Sequence, residues 1–292
     1  MHINSESRHG REAIGRYVMI RGVRAYYECA GRGVPILLLH TAGRDGRQWH
    51  RVMETLGDRY RLYAPDLPGH GKSYPLASQP CLDTVDHIAE WLREFSAAVG
   101  IEQFVVMGCS VGGNLALLMA AKFSEVLAVI ALQGAARTPT FTEKTLELFT
   151  HPQVNLMHSN MDFSMSLVGS KADDFARSFS EWGVQSITPL AQQADLRAYT
   201  RCDTRDVLNR VTCPVLIARG TEDWLVTSEM VQEALYALNG TNHTEFHALN
   251  GLGHFPHLEA PEVVSKMTDD FLVKHLAQDQ CSATLSTPAA SI

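Results

Sequence analysis

The chain has 292 residues, 45% of them hydrophobic and 20% charged, with a formal net charge of -7 at pH 7. These proportions match globular proteins and exclude disordered and fibrous classes, and the length favours one α/β core with an insertion over two independent domains. The acidic charge is spread along the chain with no basic stripe, which argues against nucleic acid or a membrane surface as a partner.

Residues 1–15 are charged and polar, which predicts a flexible segment that is neither a secretory signal nor a membrane anchor, and no later stretch reaches transmembrane length. Residues 17–22 and 23–28 read as two short strands joined by a tight turn at Arg21-Gly22. Pro35-Ile36-Leu37-Leu38-Leu39 is an unbroken apolar run ending in His40-Thr41-Ala42-Gly43, the pattern of a parallel strand buried on both faces. Trp49, Val52, Met53 and Leu56 then recur at helical spacing, and residues 61–65 form the next strand. A helix over residues 84–99 and a strand over 103–107 lead into Gly108-Cys109-Ser110-Val111-Gly112. A helix over 113–123 and a strand over 127–132 continue the alternation, which means right-handed crossovers in a parallel sheet.

The rhythm fails over residues 136–206, which carry irregular helical patterns and several methionines, and this segment is expected to be a helical lid inserted into the sheet domain. Residues 214–218 restore a buried strand, followed by a helix (228–238), a strand (245–249) and a last helix (261–276) with Pro in its first turn. The predicted fold is therefore α/β, with a mostly parallel, doubly wound, eight-stranded sheet. The core comprises residues 16–135 and 207–278, and residues 279–292, rich in Ser, Thr, Ala and Pro, are expected to be a disordered tail.

The six cysteines show no C-x-x-C spacing and no dense disulfide pattern, so reduced thiols and a cytoplasmic location are expected. The Asn239 and Asn242 sequons would matter only in a secreted protein.

A serine hydroxyl is a weak nucleophile unless a base takes its proton, and that base must be held in one tautomer. Ser110 lies in a G-x-S-x-G motif, whose glycines leave room for a strained strand-to-helix turn, and the helix that follows points free amides at developing negative charge. The motif alone is a weak signal. Here it follows a buried apolar run and precedes a helical pattern, which makes the match strong.

Across residues 17–277 the chain resembles the α/β-hydrolase fold superfamily. Asp66-Leu67-Pro68-Gly69-His70-Gly71-Lys72-Ser73, the Ser110 turn, Gly220-Thr221-Glu222-Asp223 and Gly253-His254-Phe255-Pro256 match its signatures in its order. The resemblance implies a catalytic triad of Ser110, Asp223 and His254, with Asp223 rather than the adjacent Glu222 orienting the imidazole. It also implies an oxyanion hole from the backbone amides of Ala42 and Val111. The family usually has His-Gly where this chain has His40-Thr41, which leaves the geometry of the hole less defined than the triad.

The implied activity is hydrolysis of a carboxylic ester or lactone of a small to medium, partly apolar substrate through an acyl-enzyme. Relatives also cleave carbon–carbon bonds beside a ketone or run cofactor-free non-hydrolytic chemistry, and a ligand receptor with a retained triad is a further alternative. Serine at position 110 argues against the dehalogenases and epoxide hydrolases, which use aspartate.

Candidate substrate-binding residues are Thr41, Arg44 and Asp45 in the loop after the third strand, Met157, Met161 and Trp182 in the insertion, and Phe255 beside His254. Arg44 and Asp45 form either a local ion pair facing solvent or, for Arg44, a contact to a substrate carboxylate or carbonyl. The methionines and Trp182 either line an apolar pocket or pack the insertion onto the sheet. Cys109 is expected to pack into the fold, and His40, His70 and His257 are expected to be structural. There is no metal-ligand spacing and no G-x-x-x-x-G-K-[ST] motif, so no metal or cofactor is expected. The expected partner is a small-molecule substrate, and a homodimer stays open.

Overall fold

The computed structural model describes residues 12–73, 81–139, 141–148, 151, 153 and 156–284, the side chains of 148, 156, 157 and 277–284 excepted. Within them the alternation of apolar strands and amphipathic helices closes into one eight-stranded sheet. In chain order its strands are β1 (Ile14–Ile20), β2 (Val23–Gly31), β3 (Val34–Leu39), β4 (Tyr60–Pro65), β5 (Phe104–Cys109), β6 (Val126–Leu132), β7 (Val215–Gly220) and β8 (Thr244–Leu249). The spatial order is β1-β2-β4-β3-β5-β6-β7-β8. Only β2 runs against the others; β4, β3, β5, β6, β7 and β8 pair in parallel.

The β1–β2 hairpin turns through Arg21 (φ 50°) and Gly22 (φ 79°), two consecutive left-handed residues whose twist suits a two-residue hairpin. Central strands bury both faces, which is why their sequences are apolar without alternation. Leu37, Leu39, Val106 and Val129 face α2 (Val85–Ala98) and α3 (Val111–Lys122). Ile36, Leu38, Val105 and Met107 face Trp49, α1 (His50–Leu56) and α10 (Pro261–Thr284). The sheet is thus covered on both sides, as a doubly wound fold requires.

Between β6 and β7 the chain forms α4 (Glu143–Leu148), α5 (Leu156–Ser166), α6 (Asp174–Gln185) and α7 (Pro189–Thr200). Asp173 caps α6 through the Ala176 amide (2.7 Å), and Thr188 caps α7, whose first turn carries Pro189. The two ends of this insertion are stitched together where it leaves the sheet. Thr204 N donates to Ala136 O (2.8 Å), Thr138 N to Cys202 O (3.2 Å), and Arg137 bridges Asp203.

Two expectations shift at the ends of the chain. Strand β1 starts at Ile14, so the last residues assigned to a flexible N-terminal segment are paired with β2. Helix α10 runs on to Thr284, past the start of the expected tail, because residues 279–284 contain no helix breaker and simply continue its turns. Residues 1–11 and 285–292 lie outside the described residues. No described helix is long and apolar enough to cross a membrane.

Candidate active site

Strand β5 ends at Cys109, and the chain turns at once into α3. Ser110, the hinge residue, sits at φ 58° and ψ -121°, a backbone conformation that a non-glycine residue adopts at a cost of roughly 1–3 kcal/mol. Its neighbours explain why the sequence supplies glycine on both sides. A Cβ on Gly108 would stand 2.1 Å from Gly112 O, and one on Gly112 would stand 2.4 Å from Leu39 O, so any side chain would push the turn off β3. Ser110 N donates to Leu132 O (2.9 Å), and Ser110 O accepts from Asn114 N (2.9 Å), which fixes the turn from both ends.

His254 follows β8 and Asp223 follows β7, both at the carboxyl ends of parallel strands, as Ser110 is at that of β5. Asp223 Oδ2 lies 2.7 Å from His254 Nδ1, while its other oxygen accepts from the amides of Leu225 (2.8 Å) and Val226 (3.2 Å). The carboxylate is 1% exposed. Burial alone would raise its pKa, but the facing imidazole and the two amides outweigh burial and hold it below the ordinary carboxylate range. A carboxylate that stays charged fixes the ring orientation and favours a positive ring once a proton arrives. Ser110 and His254 line one cavity of about 330 Å³.

Glu222 points the other way. It is exposed and bonds the amide and hydroxyl of Ser170 in the insertion (2.6 and 2.7 Å).

The loop after β3 supplies the opposite wall. Thr41 N donates to Gln48 Oε1 (3.1 Å), and Gly43 N donates to Asp195 Oδ2 on α7 (2.6 Å). The amides on either side of Ala42 are therefore both engaged, and Ala42 itself lines the cavity. Val111 lies just behind the wall as the first residue of α3, where helical geometry leaves the amides without intrahelical acceptors. Thr41, which stands where the family has glycine, turns its hydroxyl onto Gln48 (3.2 Å) and lines the cavity as well.

Three histidines assigned to structural roles have such surroundings. His40 binds Thr41 O through Nδ1 (2.9 Å) and accepts the Leu67 amide on Nε2 (3.2 Å). Burial and the neighbouring His70 push its pKa down to about 4, so it is a neutral strut. His70 pairs with Asp195 at 2.8 Å, and His257 stacks on Trp49 with ring centroids 4.4 Å apart. Cys109 is fully buried with its thiol donating to His254 O (3.2 Å), and burial holds it well above the usual thiol range, so it remains protonated.

The substrate-binding candidates divide. Thr41, Arg44 and Phe255 line the cavity with Ser110. Asp45 does not: it is buried, its carboxylate bonds the Arg47 guanidinium (2.5 and 2.8 Å), and it caps the short turn at Gly46–Trp49. The expectation of an Arg44–Asp45 pair facing solvent is thereby corrected, since Arg44 is 8% exposed and bonds Gly43 O, Ser164 Oγ and Ser180 O instead. Trp182 is 40% exposed and lies under Arg47 (4.3 Å from guanidinium carbon to ring centroid), away from the cavity, because the inward side of that turn of α6 is given to Gly183 and Val184. Met161 is half-buried and off the wall, where Asn160 and Phe163 take the facing positions. The side chain of Met157 lies outside the described residues.

Sequence reasoning missed two clamps. Glu259, buried, accepts the amides of Gly253 (2.7 Å) and Phe255 (3.0 Å) on either side of His254, and Gly169 of the insertion (3.2 Å). Gln133 at the end of β6 reaches Gly253 O (2.5 Å). A glutamate three residues after Pro256 was the signal available for the first, and nothing in the sequence marks the second. Among the described residues no group of three or more His, Cys, Asp or Glu has metal-holding geometry.

This fold and edge-mounted constellation define an α/β-hydrolase. The profile of the alpha/beta hydrolase fold family matches residues 34–261, and the chain belongs to that family and is a hydrolase. It is 30% identical over 215 residues to a pimeloyl-[acyl-carrier protein] methyl ester esterase of Nitrosomonas europaea, covering 68% of this chain and 81% of that one. An enzyme of the same name from Aeromonas hydrophila is 32% identical over 210 residues, covering 67% and 80%. Among solved structures, the enol-lactonase of Burkholderia xenovorans LB400 superposes with a TM-score of 0.78 at 20% identity, covering 88% of this chain and all of that one. An esterase of Thermogutta terrifontis gives 0.76 at 21% identity, covering 90% and 98%.

Proposed function

We propose that the protein is a serine hydrolase that cleaves short carboxylic esters or lactones through an acyl-enzyme on Ser110. The observation that carries this reading is a serine on a strained turn sharing one cavity with a histidine whose far side is held by a buried carboxylate. The methyl ester esterases at 30–32% identity support ester chemistry over the carbon–carbon and non-hydrolytic alternatives.

Ser110 Oγ attacks the carbonyl carbon as His254 takes the hydroxyl proton, and the resulting oxyanion is met by the amides of Ala42 and Val111. Collapse of this intermediate breaks the bond to the alcohol oxygen, which leaves with the proton from His254. Water, deprotonated by His254, then attacks the acyl-enzyme and releases the acid and free Ser110. Each amide donor is worth about 3 kcal/mol in the transition state. The apolar wall, including Phe141, Phe163, Leu196 and Phe255, suits a partly apolar substrate. The cavity volume of about 330 Å³ suits a small to medium substrate. The five described cysteines are free, which supports action in the reducing cytoplasm.

The test is turnover of short p-nitrophenyl esters and small lactones with and without a serine-directed phosphonate. The reading expects hydrolysis that the phosphonate abolishes; ligand binding with no turnover of any ester or lactone would overturn it.

A further inference from the structure

Buried charges in proteins are nearly always paired with an opposite charge. Arg44 departs from that rule. Its nearest carboxylate in sequence, Asp45, is committed to Arg47, and among the described residues no carboxylate lies within ion-pair distance of Arg44. Its donors go to neutral oxygens: Gly43 O (2.8 Å), Ser164 Oγ (2.7 Å) and, longer, Ser180 O (3.4 Å). Among the described residues its Nε has no acceptor.

The surroundings are shaped to keep the guanidinium there. Gly183 on α6 faces the side chain, and a Cβ at that position would come within 2.8 Å of both Cδ and Nε, so the absence of a side chain makes room for the arginine. The same cavity wall that carries Arg44 also carries Ser110, His254 and the buried Tyr199, whose hydroxyl has no partner among the described residues. Most of the remaining wall is aliphatic or aromatic, and in such a low-dielectric setting an uncompensated cation attracts an anion far more strongly than in water. Burial pushes the pKa of Arg44 down to about 10, with nearby Asp45 opposing the fall, so it stays cationic at neutral pH.

We propose that the guanidinium of Arg44 receives a free carboxylate on the substrate, so that the preferred substrate is a short monoester or lactone whose acid or alcohol part carries a second, ionised carboxyl group. This assignment rests on the serine-hydrolase reading above and narrows its substrate class. It also gives the buried cation a counter-ion that the described residues do not provide.

The experiment compares matched esters of one chain length, monomethyl glutarate and monomethyl adipate against methyl pentanoate and methyl hexanoate. For the wild-type protein the account expects kcat/KM at least about tenfold higher for the anionic ester, the size of one charge-assisted contact, despite a net charge of -7 that repels anions. Arg44→Met should bring the anionic-to-neutral ratio to about one, chiefly through KM, and Arg44→Lys should restore part of it. Gly183→Ala, which crowds Arg44 without removing its charge, should lower the same ratio severalfold.

Should Arg44→Met fail to fold, competition decides on the wild-type protein: glutaramate, which carries one carboxylate, should inhibit neutral-ester turnover with a Ki at least about tenfold below that of the uncharged isostere glutaramide. Calorimetric binding of monomethyl glutarate to Ser110→Ala reads the subsite without turnover. Anionic-ester binding in a protein that hydrolyses nothing would retain the subsite and remove the hydrolase reading. Equal kcat/KM for anionic and neutral esters, with no advantage for glutaramate over glutaramide, would overturn the carboxylate subsite and leave the hydrolase reading standing.

Discussion

The two halves of the active-site wall are held by different physics. The end of the sheet that carries Ser110, Asp223 and His254 is anchored by central strands buried on both faces, in two large apolar clusters, with backbone packing too tight at Gly108 and Gly112 to admit a methyl group. The insertion packs onto the core through Ala198, Tyr199 and Cys202, which join one of the large clusters, and through a small one, Leu167 and Ala176 against Phe255 and Leu258, yet keeps several large apolar side chains exposed. Around the cavity it is held by buried polar ties as well: Asp195 to Gly43 and His70, Arg44 to Ser164 and Ser180, Glu259 to Gly169. Close packing has one solution and resists displacement, whereas a polar tie depends on charge state and on a single partner. On the proposed reading, reaction chemistry belongs to the strand ends and selectivity to the cavity wall that the insertion completes.

Substitutions can break this division, beginning where the effect is largest. Ser110→Ala should lower kcat for a short p-nitrophenyl ester by about 10⁴-fold or more while leaving the melting temperature within a few degrees, and adding His254→Ala should cost little further, because the pair acts as one unit. Steady-state kinetics and circular dichroism check both halves.

Glu259→Gln should be the next most harmful. The amide can present one oxygen where the carboxylate presents two, and its NH₂ would face a backbone donor, so one amide beside His254 loses its acceptor. A stability loss of about 2 kcal/mol is expected in denaturant titration, with kcat reduced on the order of tenfold as the histidine loop loosens.

Asp195→Ala tests the insertion side. It frees the Gly43 amide next to Ala42 and should reduce kcat by roughly 10- to 100-fold without touching the triad. The same variant carries a pH signature. Burial pushes the pKa of His70 down, but the charge and hydrogen bond of Asp195 override it and the folded value is raised. A raised histidine pKa contributes stability that is fully present below the unfolded value, about 6.5, and is lost as pH rises through the folded one. The gap in melting temperature between wild type and Asp195→Ala should therefore be widest below the unfolded value of about 6.5 and narrow as pH rises through the raised folded value. A gap that widened with pH would mean the tie is not ionic. Trp182→Ala marks the small end of the scale: an exposed residue off the cavity wall should shift kcat/KM by less than about twofold.

How much of this was legible in the sequence follows the same division. Leu37 to Leu39, Val105 to Met107 and Leu127 to Leu132 announce themselves because a strand buried on both faces must be apolar throughout. The Ser110 turn is readable because glycine at 108 and 112 is a steric demand. The insertion leaves no such trace. Whether Arg44 faces solvent or the cavity is decided by Gly183 and Ser164, more than a hundred residues away, and whether Asp45 pairs with Arg44 or Arg47 is decided by a local cap. Trp182 and Met161 stay off the wall that Val184, Asn160 and Phe163 line, because neighbouring positions of one helix differ only in how that helix is rotated against the core. Glu259 and Gln133 escaped notice because their partners are backbone groups, which carry no side-chain signature.

The most direct test of the central claim is to treat the protein with a fluorophosphonate and locate the adduct by intact-mass and peptide mass spectrometry. The account predicts one adduct per chain, on Ser110, absent from Ser110→Ala and formed far more slowly in His254→Ala. Stoichiometric labelling of Ser110→Ala, or an adduct on another residue accompanied by loss of ester hydrolysis, would contradict it.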